Sequence, residues 1–519
     1  MNHSSIQFPE RFNMAEYFLY HNVEEGRAGK TCLYYEDETY TYADAVRMSN
    51  RVGGALRELG VRVEDRVLIV LPDCPEFVWT WFGTSRIGAV VTMVNPLLPA
   101  EDYKYYLEYT RAGVAVIHES LVEHFASASR DARYLKDVLV VGEGCGEFHS
   151  FRQIVEAQAD ELTPADTHRD DPAIWLFTSG STGHPKGALH LQHDLPYNTE
   201  CYAKSVLKVC DRDVTVSVPK LFFGYATGTN LLFPFATGGA TALFSERSTP
   251  EKMFEVIERY RPTILTSVPT MINGMLNVEG ATARDLSSLR MCLSAGEALP
   301  VELYRRWMQT FDVEILDGIG SAEMFHIYIT NRPGDVKPGS LGRIVEGYEA
   351  EVVDAAGRPV ATGEMGTLRI RGDSAALCYW QAHEKSKETF AGDSCTTGDQ
   401  FHVDDEGYFW YHGRTDDMLK VSGVFVAPAE IENCLLRHEA VLECAVVGHD
   451  AGDLLVKPKA YVVLREGHAP SAELEQSIKD FVKSNLALYK YPRWVEFVAS
   501  LPKNDRGKID RKKLKDVDR

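Results

Sequence analysis

The sequence predicts an α/β protein. A large amino-terminal domain of parallel-sheet subdomains spans residues 1–415, turning β-rich from about residue 345, and a small, mobile α+β domain spans residues 416–519. Three observations carry this. Short apolar runs alternate with helix-like segments through the first part of the chain, the pattern shortens to hairpins after about residue 345, and it changes again beyond "GRTDDMLKVSG". With 519 residues, 45% of them hydrophobic, the chain is long enough for two or more separate cores.

In chain order, the first strands are predicted at "RVLIVLP" (66–72), "GAVVTMV" (88–94), "VAVIHE" (114–119) and "DVLVVGE" (137–143). A second set follows at "AIWLFT" (173–178), "TILTSVP" (263–269), "LRMCLSAG" (289–296) and "VEILDGIG" (313–320), each ending in small or turn-forming residues. Open α/β sheets bind ligands outside such carboxyl ends. In "EAEVVDAAGRPVATGEMGTLRIRG" the "AAGRP" segment reads as a turn between two alternating strands. The last domain opens with a proline-started helix at "APAEIENCLLRHEAV" and continues with strands at "ECAVVGH" and "KAYVVL". An amphipathic helix there carries Leu474, Ile478, Phe481 and Val482 on one face.

Composition excludes several classes. A formal charge of −20 argues against nucleic acid as a partner, because phosphate binding needs basic surface. From Asp417 onward there are 17 Lys+Arg against 16 Asp+Glu, so the preceding residues carry −21; charge alone favours reading the lysine-rich tail as ordinary solvated surface, with a face that meets a polyanion as the alternative. The amino terminus has no basic segment leading into an apolar run, and no apolar stretch approaches the roughly 20 residues of a membrane span, which makes the cytoplasm the default location. Ten cysteines are scattered with no CxxC pair, supporting neither a disulfide framework nor a zinc site.

The densest chemistry lies in "TSGSTGHPKG" (178–187), directly after a predicted strand. Its glycines, Gly180 and Gly183 among them, let backbone N–H groups approach phosphate. Thr178, Ser179, Ser181 and Thr182 add hydroxyls, and Lys186 can neutralise charge. A P-loop would place serine or threonine after the lysine, where Gly187 stands. The string instead resembles the phosphate loop of the adenylate-forming superfamily, which includes acyl-CoA synthetases, carrier-protein adenylation domains and luciferases. Further segments resemble that superfamily in the same order, covering the chain from about Tyr40 onward.

The resemblance assigns roles. "SAGEALP" and "DGIGSAE" would hold adenine and metal-bound phosphates, through Gly296, Glu297, Ala298, Asp317 and Gly318, with Glu323 as the Mg2+ carboxylate. Many members have tyrosine and threonine where Ile319 and Ala322 stand. Asp399 would take the ribose hydroxyls and Arg414 the ribose or α-phosphate region. Asp416 would be the hinge, with Asp417 the close alternative, and Gly423 would line a CoA channel. In "LPKNDRGKIDRKKLK", Lys508 would be the catalytic lysine.

For the acid, "KLFFGYATGTNLLFPF" (220–235) and "EMFHIYITN" (323–331) resemble benzoate–CoA ligases. This implies an aryl pocket of Gly224, Tyr225, Ala226, Ala295, Gly320, His326 and Ile327. Benzoate enzymes carry alanine before the tyrosine and glycine after it, where this chain has Gly224 and Ala226, so 2-aminobenzoate or a hydroxybenzoate competes with benzoate. The expected activity is an ATP- and Mg2+-dependent, AMP-forming aryl-CoA ligase with CoA as co-substrate; the alternative is a stand-alone adenylation enzyme loading a carrier protein. Partners are the aromatic acid, ATP and CoA. A homodimer and a lysine acetyltransferase acting on Lys508 are left open.

Overall fold

The computed structural model describes residues 6–178, 184–415, 418–421, 424–450, 456–503 and 509–517. All eight predicted apolar runs contain strands, divided between two large mixed sheets. The first sheet runs Cys378–Tyr379, Lys186–Leu191, Pro172–Thr178, Val90–Met93, Arg66–Val70, Val114–His118, Asp137–Val141 and His149–Ser150. From Pro172–Thr178 onward these strands are parallel, while Lys186–Leu191 and Cys378–Tyr379 are antiparallel additions at one edge.

The second sheet runs Arg343–Ile344, Ile327–Thr330, Ile315–Gly320, Met291–Ala295, Ile264–Ser267, Val214–Ser217, Ala240–Leu243, Thr31–Tyr35 and Glu38–Thr41. Its middle is parallel and its edges are antiparallel. Helix Tyr42–Glu58 begins with a capping box, in which the Thr41 hydroxyl accepts from Asp44 N and the Asp44 carboxylate accepts from Thr41 N. It lies close against helix Pro75–Arg86, because Gly83 has no side chain: a Cβ there would stand 2.8 Å from the Ser49 carbonyl oxygen.

The β-rich part is an antiparallel sheet of Glu349–Val353, Gly366–Arg371, Ser394–Val403, Phe390–Ala391 and Phe409–Arg414. The predicted turn forms at 354–358, where Asp354 Oδ1 accepts from the backbone N–H groups of Ala356 and Arg358. The partner strand starts only at Gly366, however, because the chain first makes a separate bridge between Val353 and Pro359.

Between Arg414 and Leu419 the chain passes to another core. Leu419, Val426, Ile431, Val446, Ile478 and Val482 form one apolar cluster, built from the ribbon Leu419–Val421 with Val424–Val426, helix Pro428–Leu435, strands Val441–Asp450 and Val456–Leu464, and helix Ala472–Asn485. Ile478 and Val482 of the predicted amphipathic face are buried, and Leu474 and Phe481 pack against them. All ten cysteines are unpaired, seven of them buried. Among the described residues no helix is long and apolar enough to cross a membrane.

Candidate active site

Strands Pro172–Thr178 and Lys186–Leu191 pair antiparallel, with Thr178 opposite Lys186, so the loop between them leaves and returns at one point. Helix Ala100–Thr110 supports the returning arm. The Tyr105 hydroxyl donates to the Pro185 carbonyl at 2.7 Å, Gly187 N donates to the Tyr109 hydroxyl at 3.2 Å, and the Tyr105 ring stacks on His184 at 4.6 Å. Both neighbours of Lys186 are thereby held, and its amine stands 6.0 Å from the centre of the Tyr379 ring. Ser179, Gly180, Ser181, Thr182 and Gly183 lie outside the described residues, as do Asp416, Gly423 and Lys508.

Strand Ile315–Gly320 leads into a tight turn, Ala322–Met324, which presents Glu323. The Tyr379 hydroxyl donates to Glu323 Oε1 at 2.6 Å, and the Glu323 carbonyl accepts from Ala376 N. Burial, with Glu323 adding to it, pushes the Tyr379 phenol well up, so it remains a donor. Oε2 carries no hydrogen bond among the described residues. One half-buried carboxylate with a vacant oxygen fits a hard cation that arrives with substrate phosphates and water; among the described residues no group of three or more His, Cys, Asp or Glu is arranged as a metal cage.

The segments assigned to adenine by resemblance meet where Ala295 lies opposite Gly318 in parallel register, followed by Gly296 at φ +89°. Glu297 turns its carboxylate to the Thr270 hydroxyl, 2.9 Å away, and so anchors the start of helix Pro269–Leu276. Asp317 is buried, Oδ1 has no hydrogen-bond partner among the described residues, and burial pushes its pKa up to about 8. As a neutral acid it can donate as well as accept. Because the folded state holds this proton above the usual carboxylate range, the contribution of Asp317 to stability falls as pH rises from about 4 to about 8 and is level above that. Asp317→Asn is expected to remove this slope: its melting temperature, relative to wild type, should rise by a few °C between pH 5 and pH 8, on the order of 1 kcal/mol or more. Parallel melting curves at both pH values would refute it.

Antiparallel pairing sets Asp399 opposite Arg414, with Nη1 3.4 Å from Oδ1. Asp399 is 8% exposed, and burial, with the charges of Asp399 and Glu323 adding to it, pushes the Tyr328 phenol well up. The charges of the predicted ribose and metal carboxylates therefore both reach one buried phenol.

On the other side of Gly320 is an aromatic cluster. His326 is 2% exposed and surrounded by Tyr202, Tyr225, Phe233 and Phe325, with ring centroids 4.8–5.6 Å away. Its Nε2 lies 3.0 Å from the Tyr225 carbonyl, which can only accept, so Nε2 carries the hydrogen. Burial lowers the imidazole pKa to about 4, leaving it neutral, and Nδ1 is a buried acceptor with no partner among the described residues. Glycines permit this packing. A Cβ at Gly228 would stand 2.4 Å from His326 Cδ2, and one at Gly320 2.4 Å from the His326 carbonyl oxygen. Ala226, Ala295 and Ile327 are buried, and Gly224 closes against Leu176.

Sequence reasoning missed Tyr379, His190, Tyr202 and Phe233. Tyr379 stands 56 residues from Glu323 with no local pattern to join them. Phe233 lies inside the quoted 220–235 segment, so that segment held the signal.

A family model described as AMP-binding enzyme matches residues 19–380, and one described as AMP-binding enzyme C-terminal domain matches 430–508. The chain is 44% identical over 513 residues to a benzoate–CoA ligase of Thauera aromatica, covering 98% of this chain and 97% of that one. Among solved structures, the anthranilate CoA ligase AuaEII in complex with anthranoyl-AMP matches with TM-score 0.94 and 41% identity, covering 98% of this chain and 97% of that one. A benzoate CoA ligase of Burkholderia xenovorans LB400 matches with TM-score 0.90 and 40% identity, covering 97% and 100%. With the loop, the Glu323 turn and the aromatic cluster all inside the span of the larger model, the chain belongs to the AMP-binding enzyme family.

Proposed function

We propose that this protein converts benzoate or a small substituted benzoate, 2-aminobenzoate being a leading candidate, to its aryl-CoA thioester through an aryl-AMP intermediate. It is an AMP-forming acid–CoA ligase that uses ATP, Mg2+ and CoA. The observation carrying the aromatic reading is the join at Gly320–Ile327: within one short segment the chain passes from the carboxylate Glu323 to the aromatic cluster around His326, in which we place the ring of the acid. A flat ring in the cluster would leave its carboxylate at the Glu323 edge.

A carboxylate is a poor electrophile because oxide would have to leave, and adenylation replaces oxide with AMP. His326, being neutral, offers the acid's carboxylate no ion pair inside the cluster, so the carboxylate stays free to attack the α-phosphate. In the proposed assignment, Asp399 and Arg414 take the ribose side, and Gly296, Glu297, Ala298, Asp317 and Gly318 frame the adenine. Glu297 would do this through its backbone, since its carboxylate holds Thr270. The loop 178–186 takes the departing phosphates. Glu323 would hold Mg2+, which supplies positive charge against phosphate oxygens; Lys508 would supply it at the α-phosphate. Rotation of the small domain, 416–519, about Asp416 would then withdraw Lys508 and bring Gly423 beside the thiol path.

Two observations support a substituted ring. An N–H or O–H substituent would supply the donor that His326 Nδ1 lacks, which plain benzoate would not. Gly224 also lacks a methyl that would crowd its neighbours: a Cβ there would stand 3.3 Å from Leu176 Cδ1 and 3.7 Å from the Phe325 carbonyl oxygen. Gly224→Ala is therefore expected to shift the kcat/KM ratio toward benzoate over 2-aminobenzoate by about 10-fold; an unchanged ratio would show that Gly224 does not shape the ring site.

The deciding experiment is a competition of benzoate, 2-aminobenzoate and 2- to 4-hydroxybenzoates with ATP and CoA, read by thioester mass. One aryl-CoA should dominate. Acid-dependent pyrophosphate exchange with no CoA thioester at any acid would overturn the ligase reading in favour of a carrier-protein loader.

A further inference from the structure

Strand Lys186–Leu191 carries a second polar group whose task the reaction above does not explain. His190 is fully buried, with Nδ1 2.8 Å from Asp194 Oδ2 and Nε2 2.7 Å from the carbonyl oxygen of Ala322, the residue before Glu323. That oxygen can only accept, so Nε2 is the donor. Asp194 is equally buried; it accepts from Leu191 N at 3.1 Å, and His193 Nε2 stands 3.4 Å from its other oxygen. His193 continues the path to the Arg169 carbonyl at 2.8 Å.

The same strand grips the same turn a second time. Tyr379, which donates to Glu323 Oε1, pairs with Ala188, two residues before His190. The strand that begins at Lys186 thus controls Glu323 both through its carboxylate and through the backbone beside it. Neither His190 nor Asp194 is exposed to a ligand. Burying such a pair carries a desolvation cost that an apolar pair of similar volume would avoid, so bulk packing does not account for it.

We propose that His190, oriented by Asp194, is a positioning residue for Glu323. It fixes the Ala322 carbonyl, and with it the direction of the carboxylate relative to the phosphate loop. This rests on the reading of Glu323 as the Mg2+ carboxylate.

The test uses the full-length enzyme with ATP and no acid, so that ATP is not consumed, and Mn2+ as the probe. Enzyme-bound Mn2+–ATP is measured by electron paramagnetic resonance, and metal-free ATP binding is measured in chelator. Wild type is compared with Glu323→Gln, His190→Ala and Asp194→Asn. In His190→Ala, Mn2+–ATP affinity should fall about 10-fold, the scale of lost support behind a metal ligand, while metal-free ATP affinity stays within about 2-fold. Asp194→Asn, which keeps the size of the side chain, should show the same split and decides the matter if His190→Ala does not fold. Equal loss of both affinities, or neither, with Glu323→Gln still losing Mn2+, overturns the positioning role alone. Unchanged Mn2+ binding in Glu323→Gln overturns the metal reading, and the proposal with it.

Discussion

Replacing Lys508 with alanine is expected to slow acid-dependent ATP–pyrophosphate exchange by about 10²- to 10³-fold, the range for removing one group aimed at transition-state charge. Thioester formation from supplied aryl-AMP and CoA should stay close to wild type. The asymmetry follows from charge. In the first half-reaction two anions approach, whereas in the second a thiol attacks an acyl group whose leaving group is already AMP. The assignment comes from the "LPKNDRGKIDRKKLK" segment, and Lys508 itself lies outside the described residues. Parallel loss in both assays would refute a lysine that serves only one half-reaction. Acetylation of Lys508 would remove the same charge and should reproduce the alanine phenotype, reversibly.

Gly320→Ala is expected to lower the adenylation rate by about 100-fold, the scale of a misplacement of about 1 Å in a reacting pair. An added Cβ would meet the His326 carbonyl oxygen at 2.4 Å, its carbon at 2.5 Å and Ile327 N at 2.7 Å. All three are backbone atoms, so relief requires the strand pairing of Gly320 with Ile327 to open. That movement displaces the aromatic cluster and the Glu323 turn together. Exchange assays over a range of acid concentrations measure it. Wild-type kinetics would mean that this join does not set the geometry of the reaction.

Much of this was legible before any coordinates. "TSGSTGHPKG" after an apolar run locates a strand and the glycine-rich loop that follows it, while the returning strand Lys186–Leu191 was not legible. Asp399 and Arg414, both assigned to the ribose side, prove to be register partners across one hairpin. Glu297 was legible as part of its motif but not in its direction, since the Thr270 that captures its carboxylate is 27 residues away. Likewise the "AAGRP" turn was correct while the start of its partner strand was not, because the bridge between Val353 and Pro359 competes with immediate pairing.

Periodicity, turn chemistry and motif order are local properties of a chain. By itself, then, this sequence determined the alternation of strands and helices, the glycine- and hydroxyl-rich segment 178–187, the order of the acidic motifs and the aromatic character of residues 220–235 and 323–331. Contact between distant segments is not written locally. Only the tertiary structure decided that Tyr379 holds Glu323, that His190 reaches Ala322 from 132 residues away, and that Asp317 and His326 lie deep enough to stay neutral. The physical reason is that hydrogen-bond partners and desolvation depend on which elements a folded core brings side by side.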